Sequence, residues 1–463
     1  MNQTLQSYLD TLKGKTVAVI GIGVSNTPLI RLLLNGADCR VVACDRKSRE
    51  ELEPLVSELE AQGVTFRLGA GYLEGLAADV IFRSPGIRPD APALADLVSL
   101  GAQITSEMEV FLDLCPCPVI GITGSDGKTT TTTIIAKLLE CAGFVVHLGG
   151  NIGRPLLPDV MNMRASDICV VEMSSFQLMT MRKSPQIAIV TNMTPNHLDV
   201  HKDMAEYIGA KENIYLHQDE TNRVVLNLDN DITASFVPKA VAHVTLFSRS
   251  KTLENGFFLR DNTLWMSQNG KETAIIARTD IALPGIHNVD NYLAAFAATE
   301  GLVPPEIWNE VAASFAGVEH RIEFVRRLNG VTYYNDSIAT SPARTTAGLR
   351  SFEERVILIA GGYDKQIPFD GLGTEIVQNV KHLILTGVTA EKIRAAVLQA
   401  ESSTKDSLPI EICADLAACV QTAHSIAQEG DVVLFAPACA SFDQFKNFDE
   451  RGKVFKQLVL ELE

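Results

Sequence analysis

The sequence predicts an α/β protein of three domains, and three observations carry that reading. The chain has 463 residues, too many for one ordinary hydrophobic core. Short apolar runs of strand type alternate with helix-length stretches, the pattern of mostly parallel sheets covered on both faces. The alternation falls into three series, which divides the chain into 1–113, 114–319 and 320–463.

Composition narrows the class. Apolar residues make up 46%, charged residues 21% and aromatics 6%, the balance of an ordinary α/β enzyme. A formal charge of -16 and a pI near 5.1 disfavour nonspecific binding to nucleic acid or anionic membrane. Any polyanionic ligand must then be met by local positive groups. The N-terminus MNQTLQSYLDTLKGK lacks the basic start and apolar core of a secretory signal. No apolar run approaches the roughly 20 residues that span a bilayer, so a cytoplasmic chain without membrane insertion is expected. The nine cysteines form no CxxC pair, and the Cys115-Pro116-Cys117 spacing suits neither a zinc knuckle nor a disulfide frame. They read as mostly buried free thiols.

In the first series, TVAVIGIGVSN, a helix-like stretch to Asn35-Gly36 and CRVVACD make a strand, glycine turn, helix and strand. The turn lacks the third glycine of a dinucleotide fingerprint and has Asn26 in its place. Asp45 ends the second strand, where such domains contact a ribose, so nucleotide binding in this segment stays open. DVIFRSPGI adds a Ser84-Pro85-Gly86 turn, and the prolines of CPCP at 115–118 suggest a linker.

The second series comprises PVIGIT, ICVVEMSS, QIAIVTNMT and RVVLNLD. Between Ala242 and Ile281, short strands with Asn-Gly turns predict an antiparallel hairpin insertion. The third series, RVILIAGGYD, HLILTGV, PIEICAD and DVVLFAPACAS, predicts another small doubly wound domain.

The stretch GITGSDGKTTTTTI, Gly121 to Ile134, is a variant phosphate loop between a strand and a helix. Gly121, Gly124 and Gly127 are expected to turn the backbone and aim its N–H groups into one concavity, aided by the helix N-terminus. Lys128 would reach terminal phosphates, and the Thr129 hydroxyl stands where such loops bind Mg²⁺. The strict pattern has glycine where this chain has Ile122. Kinases, motor ATPases, GTPases and ligases all share such a loop.

Glu172 ends a strand and is a candidate to hold Mg²⁺ at the same sheet edge. TNMTPNHLDVH puts His197, Asp199 and His201 in a loop, where a lone histidine is more often structural than catalytic. Lys211 reads by itself as a solvated surface lysine.

Together GITGSDGKTT, VVEMSSFQL, NMTPNHLDVH, AKENIY, LPGIHNVDNYLAA, EHRIEFV, NDSIATSPART, GGYDK and PACASFDQFKNFDERG, in this order, resemble the Mur ligases of peptidoglycan precursor synthesis. The resemblance runs from Gly14 to Gly452. It implies a Rossmann-like N-terminal domain binding a UDP-sugar, a central P-loop ATPase domain with a mostly parallel sheet, and a Rossmann-like C-terminal domain completing an amino-acid site. It also implies the substrates ATP, UDP-MurNAc-L-Ala and D-glutamate, an acyl phosphate and a tetrahedral intermediate, and a monomer.

Carried over by position, the resemblance implies that Gly124, Ser125, Asp126, Gly127, Lys128, Thr129 and Thr130 bind the nucleotide phosphates. Asn291, Arg321 and Asp336 would hold adenine, phosphate and ribose. Thr129, Glu172, His197 and a Lys211 carbamylated by CO₂ would hold two Mg²⁺ ions, with Lys128, His197 and Lys211 catalytic. Asn151 and Ser174 would touch substrate, and Ser25, Asp45, Arg46, Ser84 and Gly86 would take the uridine diphosphate. Thr340, Lys365, Ser441 and Phe448 would grip D-glutamate. The chain has Ile338 where many relatives carry lysine, so that lysine's role does not transfer. A folylpolyglutamate synthase would share the central core, and the segment FDQFKNF argues against it.

Overall fold

The computed structural model describes residues 4–23, 26–401 and 408–463. Among them the strands form three sheets. The first contains β1 (Thr16–Ile20), β2 (Arg40–Asp45), β3 (Thr65–Leu68), β4 (Val80–Arg83) and β5 (Gln103–Thr105), all parallel, in the order β3-β2-β1-β4-β5. Both faces of β1 are buried: Val17 and Val19 join one apolar cluster, Ala18 and Ile20 another. A strand sandwiched this way needs an unbroken apolar run, which is what TVAVI supplies. The order reverses at β1 and β4, so ligands are expected outside the carboxyl ends of those strands.

The second sheet contains β6 (Val119–Thr123), β7 (Val146–Gly150), β8 (Ile168–Glu172), β9 (Ile187–Val190), β10 (Arg223–Asn227), β11 (His243–Ser248), β12 (Gly256–Arg260), β13 (Thr263–Gln268) and β14 (Lys271–Ala277). Its order is β14-β13-β12-β11-β10-β9-β6-β8-β7. The expected hairpin insertion is instead the growing edge of this sheet. β11 pairs parallel to β10, β12 parallel to β11, and only β12, β13 and β14 run antiparallel. The two-residue turns are Asp261-Asn262 (φ 48° and 55°) and Asn269-Gly270 (φ 51° and 78°), all left-handed as hairpin twist requires. The other Asn-Gly pair, Asn255-Gly256, is no hairpin turn. Gly256 opens β12 at φ 131°, where a Cβ would come within 2.4 Å of the Leu246 carbonyl oxygen.

The third sheet contains β15 (Glu323–Leu328), β16 (Val331–Asn335), β17 (Val356–Ala360), β18 (Val380–Leu385), β19 (Ile410–Ile412) and β20 (Val432–Phe435). Its order is β15-β16-β20-β17-β18-β19, parallel except for the β15–β16 hairpin. Separate apolar clusters cover its two faces, as the third series predicts for a doubly wound domain.

The chain forms two compact units. One comprises Met1–Arg278 and Asp290–Val311, holding the first two sheets; the other comprises Thr279–Val289 and Ala312–Glu463, holding the third. Among the described residues no helix is long and apolar enough to cross a membrane.

Candidate functional site

Parallel strands deliver their following loops to one edge, and in the second sheet β6 lies between β9 and β8. The phosphate loop after β6 is therefore flanked by Glu172 and by the Thr191–Thr194 segment. Gly124 has φ 149°, and a Cβ there would lie 1.9 Å from Thr191 Oγ1. Gly127 has φ 77°, and a Cβ would lie 2.3 Å from Asn291 Oδ1. Both are bare backbone by necessity. Gly121 is different. It sits inside β6 without a positive φ, and its missing side chain makes room for Pro185, 2.5 Å from the Cβ position. Only Gly124 and Gly127 turn the chain.

The loop is tied down by residues the sequence did not single out. Asn192 accepts from Ser125 N through its carbonyl at 2.9 Å and from Asp126 N through Oδ1 at 2.9 Å. Ser125 Oγ donates to Thr194 O at 2.9 Å and meets Tyr207 OH at 2.9 Å, so this buried hydroxyl shapes the loop. The Asp126 carbonyl accepts from Thr191 Oγ1 at 2.6 Å. The first internal bond of the helix Lys128–Cys141 runs from Thr131 N to Gly127 O. Its earlier amides thus open onto the loop with the positive end of the helix. Thr130 is buried, Thr131 Oγ1 donates to Asn291 Oδ1 at 3.2 Å, and Thr133 Oγ1 donates to Thr129 O at 2.9 Å.

Around this loop the charged groups interlock. Thr129 Oγ1 donates to Glu172 Oε2 at 2.7 Å, and Asn151 Nδ2 donates to Glu172 Oε1 at 2.7 Å. Lys128 Nζ donates to the carbonyls of Gly124 (3.0 Å) and Ser125 (2.9 Å). Lys211, expected on the surface from its own sequence, is 2% exposed. Its Nζ donates to Thr123 Oγ1 at 3.0 Å and Gly124 O at 2.7 Å, with the Tyr207 ring 5.1 Å away. Burial, reinforced by the Lys128 charge, holds its amine well below the usual lysine range.

His197 is exposed on the loop after β9, in the left-handed region at φ 55°, with its ring 5.2 Å from Phe176. Partial desolvation and Lys128 lower its pKa, which favours the neutral imidazole. His201 is buried; its Nε2 lies 2.9 Å from Ser175 Oγ and its ring stacks on Phe176 at 5.1 Å. Ser174 caps the short helix Ser175–Leu178 in a capping box with Gln177.

At the first sheet's edge, Asp45 Oδ2 accepts from Ile22 N at 2.6 Å and Oδ1 from Lys47 N at 2.9 Å, which fixes the glycine turn against β2. Ser84 lies against Gly21, 2.7 Å from the position a Cβ would take. Gly86 and Arg46 are exposed at the same edge, and Ser25 lies outside the described residues. The buried Arg83 was missed: Nη1 donates to Ser84 O at 3.3 Å and also reaches Ile87 O at 2.5 Å. Its Nη2 donates to Phe176 O at 3.2 Å and Thr180 Oγ1 at 3.3 Å.

In the other unit, the neighbouring strands β16, β20 and β17 deliver Asp336 and Thr340, Ser441, and Lys365 to one carboxyl edge. Asp336 Oδ1 accepts from Ile322 N at 3.3 Å, and burial pushes its carboxyl up to about 7 despite nearby Arg321 and Arg344. Lys365 Nζ donates to Thr340 O at 3.2 Å, Ser441 is buried, and Phe448, 37% exposed, sets its ring 6.2 Å from that of His320. Ile338 is half-buried, and its carbonyl accepts from Arg344 Nη1 at 3.2 Å. Arg451, also missed, is 3% exposed. It donates to Ser337 O (2.8 Å), Ser337 Oγ (3.1 Å), Cys439 O (3.1 Å) and Ala440 O (3.0 Å). Its place near the end of the quoted segment PACASFDQFKNFDERG was the available clue.

Known proteins give this geometry a context. The Mur ligase middle domain matches residues 122–299, and the Mur ligase glutamate ligase domain matches 320–439. The UDP-N-acetylmuramoylalanine–D-glutamate ligase of Acetivibrio thermocellus is 49% identical, covering 100% of both chains. Its counterpart in Clostridium novyi is 48% identical over 99% of both. In fold, the chain is similar to the UDP-N-acetylmuramate-alanine ligase of Thermotoga maritima, with TM-score 0.56, 19% identity and coverage of 96% and 98%. With full-length identity near one half and both domain matches in sequence order, the chain belongs to the Mur ligase family.

Proposed function

We propose that this chain is an ATP-dependent ligase that joins D-glutamate to UDP-N-acetylmuramoyl-L-alanine in peptidoglycan precursor synthesis, forming ADP and phosphate. The observation that carries the reading is the full-length likeness to ligases of that name.

The residues suit the chemistry. The loop Gly124–Gly127 and the first-turn amides offer donors to phosphate, and Lys128 can exchange its two backbone carbonyls for a phosphoryl oxygen. Thr129 and Glu172 fit Mg²⁺: both are hard oxygen donors already within bonding reach of each other, and Asn151 orients the carboxylate. Mg²⁺ would supply charge neutralisation between the polyphosphate and the carboxylate that attacks it. Asn291, Arg321 and Asp336 are proposed for the nucleoside and phosphate.

Lys211 is proposed to react with CO₂, its neutral amine forming an N–C bond and losing a proton to leave a carbamate. With His197 it would then hold a second Mg²⁺. The alanyl carboxylate takes the γ-phosphoryl group; D-glutamate's amine attacks the resulting acyl phosphate; and the tetrahedral intermediate expels phosphate. Lys365 and the hydroxyls of Thr340 and Ser441 are suited to D-glutamate's carboxylates, with Phe448 beside them.

The test is phosphate release with ATP, Mg²⁺, UDP-MurNAc-L-Ala and a panel of amino acids. Release that depends on D-glutamate is expected. Release that ignores it, or answers only to another amino acid, overturns the assignment.

A further inference from the structure

Cys115 and Cys117 lie on the connection between the first and second sheets, whereas Cys169 lies within β8. Val119 pairs with Cys169, and Cys169 N donates to Pro118 O at 2.9 Å, which presses the connection onto the strand. The three sulfurs consequently form a closed triangle: 3.6 Å from Cys115 to Cys117, 3.6 Å from Cys115 to Cys169 and 3.4 Å from Cys117 to Cys169. Met163 Sδ lies 3.6 Å from Cys169 Sγ. None of the four residues is more than 8% exposed, and all belong to one apolar cluster. Spacing along the chain hid this arrangement, because the third thiol comes from a strand more than fifty positions away.

Geometry and donor type point the same way. A tetrahedral ion with bonds of about 2.3 Å sets its sulfur ligands about 3.8 Å apart. Each of the three cysteine sulfurs would shift by only about 0.1–0.2 Å to admit one. Thiolate and thioether sulfur are soft donors that select copper(I)-like ions over Mg²⁺. Each cysteine that ligates gives up its proton and binds as thiolate. Zinc takes thiolate, imidazole and carboxylate, so a thioether beside thiolates suits a copper(I)-class ion instead.

We propose that Cys115, Cys117 and Cys169, assisted by Met163, form a binding site for a soft monovalent metal ion of the copper(I) class. Such an ion staples the connection at 115–118 to β8, three residues before Glu172. The site is independent of the ligase reading.

The experiment titrates reduced full-length protein, under anaerobic conditions, with copper(I) buffered by a chromophoric chelator. One ion withdrawn per chain, with release of protons and a rise in Tm of several degrees, is expected. Cys117→Ser and Met163→Leu each weaken uptake at least tenfold, whereas Cys141→Ser, which removes an exposed thiol, leaves it unchanged. Met163→Leu conserves volume, so it keeps the test decisive if a cysteine variant fails to fold by circular dichroism. Failure to compete with the chelator, or uptake that survives Cys117→Ser in a folded protein, overturns the site. Stoichiometric zinc(II) uptake at these cysteines without copper(I) uptake overturns the class of ion.

Discussion

Thr129 and Glu172, 43 positions apart, meet in a 2.7 Å hydrogen bond from Oγ1 to Oε2. The helix that follows the phosphate loop and the strand that carries the acid are thus tied together. Glu172→Gln keeps the shape and the bond to Thr129 but removes the charge. Turnover is expected to fall by about 100-fold or more, roughly 3 kcal/mol of transition-state stabilisation. Phosphate release across a Mg²⁺ titration checks this; a variant with normal rate and Mg²⁺ dependence would remove Glu172 from the site.

Lys211 gives a pH prediction with a definite sign. Its folded pKa is lowered by burial, so between that value and the unfolded value near 10.4 the unfolded chain holds the extra proton. Stability therefore rises with pH through that window. Lys211→Met should flatten the rise, read as urea midpoints from pH 7 to 10, while Lys211→Ala abolishes turnover and added bicarbonate does not restore it. Near-normal activity in Lys211→Ala would exclude it from the reaction.

Asp336 runs the opposite way. Its carboxyl is pushed up to about 7 by burial, so the folded state keeps a proton that the unfolded state releases near pH 4. Stability is lost as pH climbs from about 4 to about 7, by up to a few kcal/mol at about 1.4 kcal/mol per pK unit. Asp336→Asn should remove that slope in urea unfolding at pH 4.5 and 7.5. Equal slopes in the two proteins would contradict the raised carboxyl.

Arg451 joins Ser337 to Cys439 and Ala440, and is proposed as a positioning residue for the edge assigned above to D-glutamate. Burial lowers its pKa to about 10, so it remains charged at neutral pH. Arg451→Ala leaves buried acceptors without partners and should cost about 3 kcal/mol. Arg451→Lys keeps the charge but loses the planar fork. It should raise KM for D-glutamate about tenfold with kcat changed less; a fall in kcat with KM unaltered would argue against a positioning role.

Much of the fold was legible because parallel strands buried on both faces must be continuous apolar runs, and TVAVI and ICVVE announce themselves. The loop around Lys128 was legible for a related reason: glycine, lysine and threonine between a strand and a helix leave few alternatives. Lys211 was different. Nothing in AEYIGAKENIY distinguishes an exposed lysine from one folded under Gly124, because its burial is created by the distant end of β6 at Thr123 and by the loop that follows it. Asn255-Gly256 misled because a dipeptide's preference for left-handed turns does not reveal whether a nearby carbonyl demands glycine for space. Cys169 was invisible beside Cys115 and Cys117 because strand pairing, and not spacing, makes them neighbours.

Arg83 has a consequence for how this sequence can vary. One guanidinium holds the turn at Ser84–Ile87 with one hand and the Phe176–Thr180 segment with the other. The two stretches cannot drift independently: a substitution that widens the turn by a few tenths of an ångström takes a donor away from Phe176 as well. Surveys of tolerated double substitutions should find positions 84–87 and 176–180 changing in concert, with Arg83 itself nearly intolerant.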